Sequence, residues 1–400
     1  MLGRLLSFLL LLVTGLGILI GWVPGPFLFE CYECAVFGML LLWLAGWAAG
    51  WLEGRWPWLV LPFLGILVLG AVQLWLGWSV YRFATVQDMV RWAAYASVFF
   101  LAYQLFGDEA RARGFRRVFL GYALAVAVVS LLQWFAGNGK IFWLFDTVEA
   151  AGMGPFLNRD HYSTFVALAL PMGLVGILRQ PQKRWWYTIA SAALYASVIA
   201  GGSRAGFILV TAELLLMFFL VELSGRLMLG TLGLILVFGS VVGWDFLFGR
   251  FEEHDPYAGR REVAAATLRM VKSSPAHGYG LGTWTQVYPA FAQKDFGVFI
   301  NAAHNDWLQW GSDGGVPMLV CMLALFVASL MLLRKVPWAV GVPVAFVHCL
   351  IDFPMQGRFL PAVVFIILGI AARSTVTKEA AEDRQEAEVE RKRPRKAIRQ

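Results

Sequence analysis

Runs of roughly 20 apolar residues, interrupted by short loops with isolated arginines and tryptophans, recur along almost the whole sequence. A segment inside hydrocarbon has no water for its peptide groups, so it satisfies them internally as a helix long enough to cross. The expected fold is therefore an all-α, polytopic membrane protein. The composition agrees, since 59% hydrophobic residues, 15% charged residues and a mean hydropathy of +0.65 are too apolar for an ordinary soluble domain. Many of the 18 tryptophans, among them Trp22, Trp56, Trp58, Trp78, Trp92, Trp185, Trp186, Trp244 and Trp338, stand near run ends, as interfacial belts require.

About 12 spans are predicted, over 5–23, 36–52, 57–78, 92–107, 118–136, 162–178, 185–201, 205–221, 227–247, 312–333, 337–351 and 359–372. An even number leaves both termini on one side. One set of alternate loops carries Arg4, Arg55, Arg111, Arg113, Arg116, Arg117, Arg179, Lys183, Arg184, Arg226, Arg334 and Lys335. The other short loops carry Arg82, Arg91, Lys140, Arg159, Arg204 and Arg358. The excess assigns the first set, and both termini, to the cytoplasm. The N-terminal run lacks a small-residue cleavage site and reads as the first span.

The chain then divides into helices 1–9 (1–249), a long polar loop outside the cytoplasm (250–311), helices 10–12 (312–372) and a disordered cytoplasmic tail (373–400) ending in RKRPRK. The net charge of +7 is scattered rather than gathered on one face, so no nucleic-acid partner is expected. No dinucleotide or P-loop glycine pattern is present, and no cofactor is implied. Cys31 and Cys34 form a C-x-x-C in the first outer loop, where a local disulfide is an option. Cys321 and Cys349 sit in apolar runs as packing residues.

A charge left in a membrane segment costs about 2.5–3.5 kcal/mol and asks for a partner. The topology gathers several such groups at one surface: Asn158, Arg159, Asp160 and His161 before span six, Arg204 in GGSRAG, Arg260 and Arg261 in the loop, His304, Asn305 and Asp306 near its end, and His348 with Asp352 at i,i+4. Each has a purely structural alternative. Arg204 can snorkel, Arg260 and Arg261 can be solvated loop charges, Asn158 to His161 can cap a helix, His304 can be a structural histidine, and His348 with Asp352 can merely orient helices. Taken together, arginines at a partly dehydrated outer face suit a diphosphate, whose oxygens match the guanidinium fork. No carboxylate cluster with metal-site geometry is expected in the outer loops. The arginines would then stabilise a departing phosphate, and a histidine would take the proton of an attacking hydroxyl.

NRDHYSTFVALALPMGL, GGSRAG, GRREVAAATLRMVKSSPAHGYGLGTWTQVYP, AHNDWLQWGSDGG and HCLIDFPMQ, in this order from about residue 155 to 355, resemble the O-antigen ligase and polymerase family of bacterial inner-membrane proteins. The resemblance implies a C-type glycosyltransferase-like fold with one long periplasmic loop. It also implies metal-independent, inverting transfer of a glycan from undecaprenyl diphosphate to an acceptor hydroxyl, on lipid A core in the ligases. The family's periplasmic arginines and loop histidine match Arg204, Arg260 and His304; Asn305 or Asp306 is the expected orienting partner of His304. Ala264 stands where an aromatic is common, Asp160 where a second asparagine is frequent, and Asp313 where glutamate is usual. Polymerisation of repeat units and glycosylation of proteins are alternatives within the family, and a membrane transporter is the alternative outside it.

Overall fold

Each of the predicted runs contains a helix in the computed structural model of the protein, which describes residues 1–146, 152–221, 224–252 and 258–392. In chain order the helices are α1 (Leu2–Ile20), α2 (Phe27–Ala48), α3 (Leu61–Trp75), α4 (Arg82–Leu105), α5 (Glu109–Ala136), α6 (Arg159–Arg179), α7 (Arg184–Gly201), α8 (Arg204–Leu220) and α9 (Gly225–Val242). There follow α10 (Asp245–Glu252), α11 (Ala258–Ser273), α12 (Trp284–Val287), α13 (Asp306–Leu332), α14 (Gly341–His348) and α15 (Leu360–Lys392). Eight helices are long and apolar enough to cross a membrane by themselves; α4, α7, α8 and the short stretch Pro337–His348 are not among them. Among the described residues there is no strand, and the protein is an all-helical, polytopic membrane protein.

Local chemistry explains the boundaries. The closest pair of helices, α7 and α8, is separated only by Gly202 and Ser203. Gly202 ends α7 in the left-handed conformation at φ 61°, and the Ser203 hydroxyl caps α8 by accepting from the Gly206 amide at 2.9 Å. Asn158 caps α6 by accepting from the Asp160 amide at 2.7 Å, and Asn305 caps α13 by accepting from the Leu308 amide at 2.9 Å.

Several expectations shift. α13 starts at Asp306 rather than near residue 312, so Asp306 belongs to a helix and not to the loop. α2 starts at Phe27, which puts Cys31 and Cys34 on its first turns as exposed, free thiols. α15 continues to Lys392 through the stretch expected to be disordered. Its Ala, Glu, Gln, Arg and Lys residues have high helix propensity, which alternating charge alone does not reveal.

Two helices hold the centre. α6 is 89% buried over its best membrane-length window and α15 is 83% buried, whereas α1, α2, α3, α5 and α13 are each 33% buried over theirs. α6 packs against α7, α8, α5 and α14, and α15 against α4. The α6–α7 approach is close because Gly173 and Gly176 face Ser191 and Tyr187, the small-residue packing that membrane interfaces favour.

The polar loop has a small core of its own: Val263, Ala266, Met270, Trp284, Val287, Tyr288 and Ala303. Its glycine-punctuated turn is stitched to the bundle. The Gln73 amide donates to the carbonyls of His277 at 2.6 Å and Asp313 at 2.9 Å, and accepts from the Leu281 amide at 3.0 Å. α13 breaks where this turn meets it, at Gly315 with φ 62° and ψ −156°. That region of backbone space is essentially restricted to glycine. A Cβ there would lie 2.5 Å from the Pro275 carbonyl oxygen. Gly315→Ala is therefore expected to cost roughly 1–3 kcal/mol in backbone strain alone. Thermal unfolding in detergent checks it, and a midpoint equal to the parent's would contradict this account of the kink.

Candidate functional site

The caps described above place the first turns of α6 and α8 at one end of the bundle, and the loop closes over them. Between them lies a cavity of about 670 Å³. Of the predicted site residues, Asn158, Arg159, His161, Arg204, Arg260 and His304 line it. Helices presenting their N-termini contribute a partial positive charge, about half a unit each. Five arginines, Arg159, Arg204, Arg250, Arg260 and Arg358, add whole charges to the same walls, and Ile18, Leu157, Phe353 and Phe359 make an apolar side. The combination suits an anion carried on an apolar chain.

Asp160 and Asp352 order the positive groups. Arg260 donates to the Asp160 carboxylate at 3.2 Å and lies 3.8 Å from that of Asp352. The Ser203 hydroxyl also donates to Asp160, and the Arg204 guanidinium donates to the Arg250 carbonyl. Asp352 is fully buried and receives the Asn158 side-chain amide at 3.2 Å. His304 Nδ1 stands 3.7 Å from it and His161 Nε2 3.8 Å. Burial alone would push the Asp352 carboxyl up, but His304, His161, Arg260 and His348 outweigh it and hold the group below its ordinary value. Asp352 is thus an anion across the neutral range. With Nδ1 of His304 turned to Asp352, Nε2 is the ring nitrogen left for a ligand. The ring packs edge-on against Phe353 at 4.8 Å, and the backbone at His304 has φ 52°, a left-handed conformation uncommon outside glycine.

This corrects the expected roles of Asn305 and Asp306. Neither orients His304. The Asn305 side chain is engaged as the α13 cap and donates to the Leu350 carbonyl at 2.6 Å. Asp306 accepts from the Met355 amide at 2.9 Å and the Gln356 side chain at 2.8 Å, fixing the turn before α15. Asp352, about 50 residues on from His304, faces the imidazole instead. His348 is buried behind the site with Nδ1 2.7 Å from the Thr164 hydroxyl. Arg261 is exposed and is not among the residues lining the cavity.

A second correction concerns metals. Asp160, His348 and Asp352 bring ligand atoms within 4.8 Å of one another, so a carboxylate-rich group of metal-site dimensions does exist. Its members are 188 and 192 residues apart in sequence (348 − 160 and 352 − 160), which is why no local spacing announces it. In this fold both carboxylates are turned onto Arg260, so a divalent ion would compete with the guanidinium for the same oxygens.

Sequence reasoning left Arg250, Arg358 and Gln356 out of the site, although all three line the cavity. For Arg358 the signal was present, since its loop falls on the same surface as Arg159 and Arg204. Gln356 carried none, because its placement depends on Asp306.

A search of curated proteins returns no match to this chain. Residues 189–323 match the family model described as O-antigen ligase. That stretch includes Arg204, Arg250, Arg260 and His304, three of the five cavity arginines with the histidine beside them, and the match, over about a third of this multi-pass membrane protein, supports the O-antigen ligase family.

Proposed function

We propose that the cavity binds the diphosphate of an undecaprenyl-linked glycan and that the protein transfers this glycan to an acceptor hydroxyl at the periplasmic face, as an O-antigen ligase acting on lipid A core. The family match supports the broader statement, glycan transfer of the ligase or polymerase type. The single observation behind the finer one is the cavity itself: five arginines and two helix N-termini around about 670 Å³, beside an apolar wall and a carboxylate-backed imidazole.

In this reading Arg204 and Arg260 grip the diphosphate and stabilise its charge as it leaves. His304 Nε2 takes the acceptor's proton as the acceptor oxygen bonds to the sugar carbon and the carbon–oxygen bond to phosphate breaks. A single displacement of this kind inverts the configuration at that carbon. The reaction proceeds without a metal ion because the guanidinium groups carry the compensating charge. Asp352 holds the imidazole and stabilises it once protonated. The long loop faces the periplasm, and both termini lie in the cytoplasm of the inner membrane.

Deleting the gene and examining surface glycans by gel and mass spectrometry tests the assignment. Lost attachment with accumulation of carrier-linked polymer is expected. Single repeat units on the surface would instead mean a polymerase, and bare glycoproteins a protein glycosyltransferase. Flipping or uptake in proteoliposomes without any covalent product would overturn the transferase reading altogether.

A further inference from the structure

A second cavity lies at the opposite ends of the same helices. It has a volume of about 540 Å³ and is lined by Val175, Leu178 and Arg179 at the end of α6, Leu220 and Val221 at the end of α8, and Arg334, Lys335 and Pro337 after α13. α6 is 21 residues long, or about 31 Å at 1.5 Å per residue, close to the roughly 30 Å of a hydrocarbon core. The two cavities therefore sit about one membrane thickness apart. The second is on the face that the arginine distribution assigns to the cytoplasm.

We infer that this cavity binds the headgroup phosphate of an anionic phospholipid. The charge excess of short loops explains why arginines occur on this face. It does not explain why Arg179 and Arg334, 155 residues apart (334 − 179), converge with Lys335 on one apolar-walled hollow. Three helix C-termini repel an anion with about half a charge each, roughly 1.5 units against two from Arg179 and Arg334, with Lys335 left out because it has a partner of its own. Glu222, next after Val221, lies outside the described residues. The balance is positive, as a phosphate needs. Leu216 and Phe219 of α8 are exposed, Phe219 to 81%, the first about one turn before Leu220 and the second directly before it, so an acyl chain has an apolar face to follow away from the headgroup. A basic pocket between membrane helices on the cytoplasmic side is the arrangement that suits such lipids.

The test uses the full chain purified in detergent and native mass spectrometry. It is titrated separately with phosphatidylglycerol, phosphatidylcholine and inorganic phosphate, and compared with the Arg179→Gln/Arg334→Gln variant. Phosphatidylglycerol is expected to bind in preference to phosphatidylcholine. Its affinity should fall about 25-fold in the double variant, at about five-fold per basic residue near the surface. Equal binding of the two lipids, or phosphatidylglycerol binding unchanged by the variant, would overturn the site. Inorganic phosphate binding as tightly as the anionic lipid would overturn the assignment to a lipid. Because neither arginine belongs to the first cavity, glycan transfer measured in excess donor should be unchanged in the variant.

Discussion

His304→Asn lowers glycan transfer by about 10²–10⁴-fold, the range expected when a positioned general base is removed. Asparagine is the informative replacement because it tolerates the left-handed backbone that His304 occupies at φ 52°. Loss of activity is then a loss of the imidazole and not of the turn. Asp352, Phe353 and Arg260 keep their places around the vacated position, so binding of the lipid-linked donor persists while the chemical step fails. The measurement is single-turnover transfer from a lipid-linked donor with the purified protein, with donor binding followed in parallel. A variant that turns over at the parent rate would remove His304 from the mechanism, whatever else the cavity does.

Arg260→Ala is the second large effect, about 10²–10³-fold in transfer, comparable to deleting one preorganised group that stabilises charge in a transition state. Arg260 reaches both Asp160 and Asp352, so its removal also leaves those carboxylates facing the cavity with less compensation and repelling the incoming diphosphate. Donor binding and rate therefore fall together, unlike the His304 result. Arg260→Lys separates charge from geometry. It restores the positive charge but not the paired fork, and transfer should recover only in part. Full recovery by lysine would show that a point charge suffices. An unchanged rate in the alanine variant would remove Arg260 from diphosphate binding.

Much of this arrangement is legible in the sequence because its causes are local. Apolar runs of membrane length become helices, Asn158, Ser203 and Asn305 become caps, and those caps set Arg159, Arg204 and the end of the loop at one surface. The separation of the tight α7–α8 pair rests on one left-handed glycine and one serine, both visible in GGSRAG. What stays hidden is long-range. The Asn158–Asp352 hydrogen bond spans 194 residues, and nothing near His304 points to Asp352 rather than the adjacent Asn305 and Asp306 as its partner. The break in α13 is equally silent, since SDGGVP falls inside the predicted span 312–333 and reads as unbroken helix until the Pro275 carbonyl is seen against Gly315. Arg250 becomes a wall of the cavity only because α10 folds back over α8.

The stitching of the polar loop decides which part of it is free to vary. Its chain is anchored on the near side by Gln73, at Leu281, and on the far side by the Ala303 amide, which donates to the Gln309 side chain at 2.9 Å. Between them Trp284, Val287 and Tyr288 are held in the loop's own core, whereas Val298 and Phe299 stand at 68% and 80% exposure as its outer rim. Changes confined to that rim would alter what meets the mouth of the cavity, which Phe299 lines, while the contacts of Asp352 with Arg260 and His304 stay as they are.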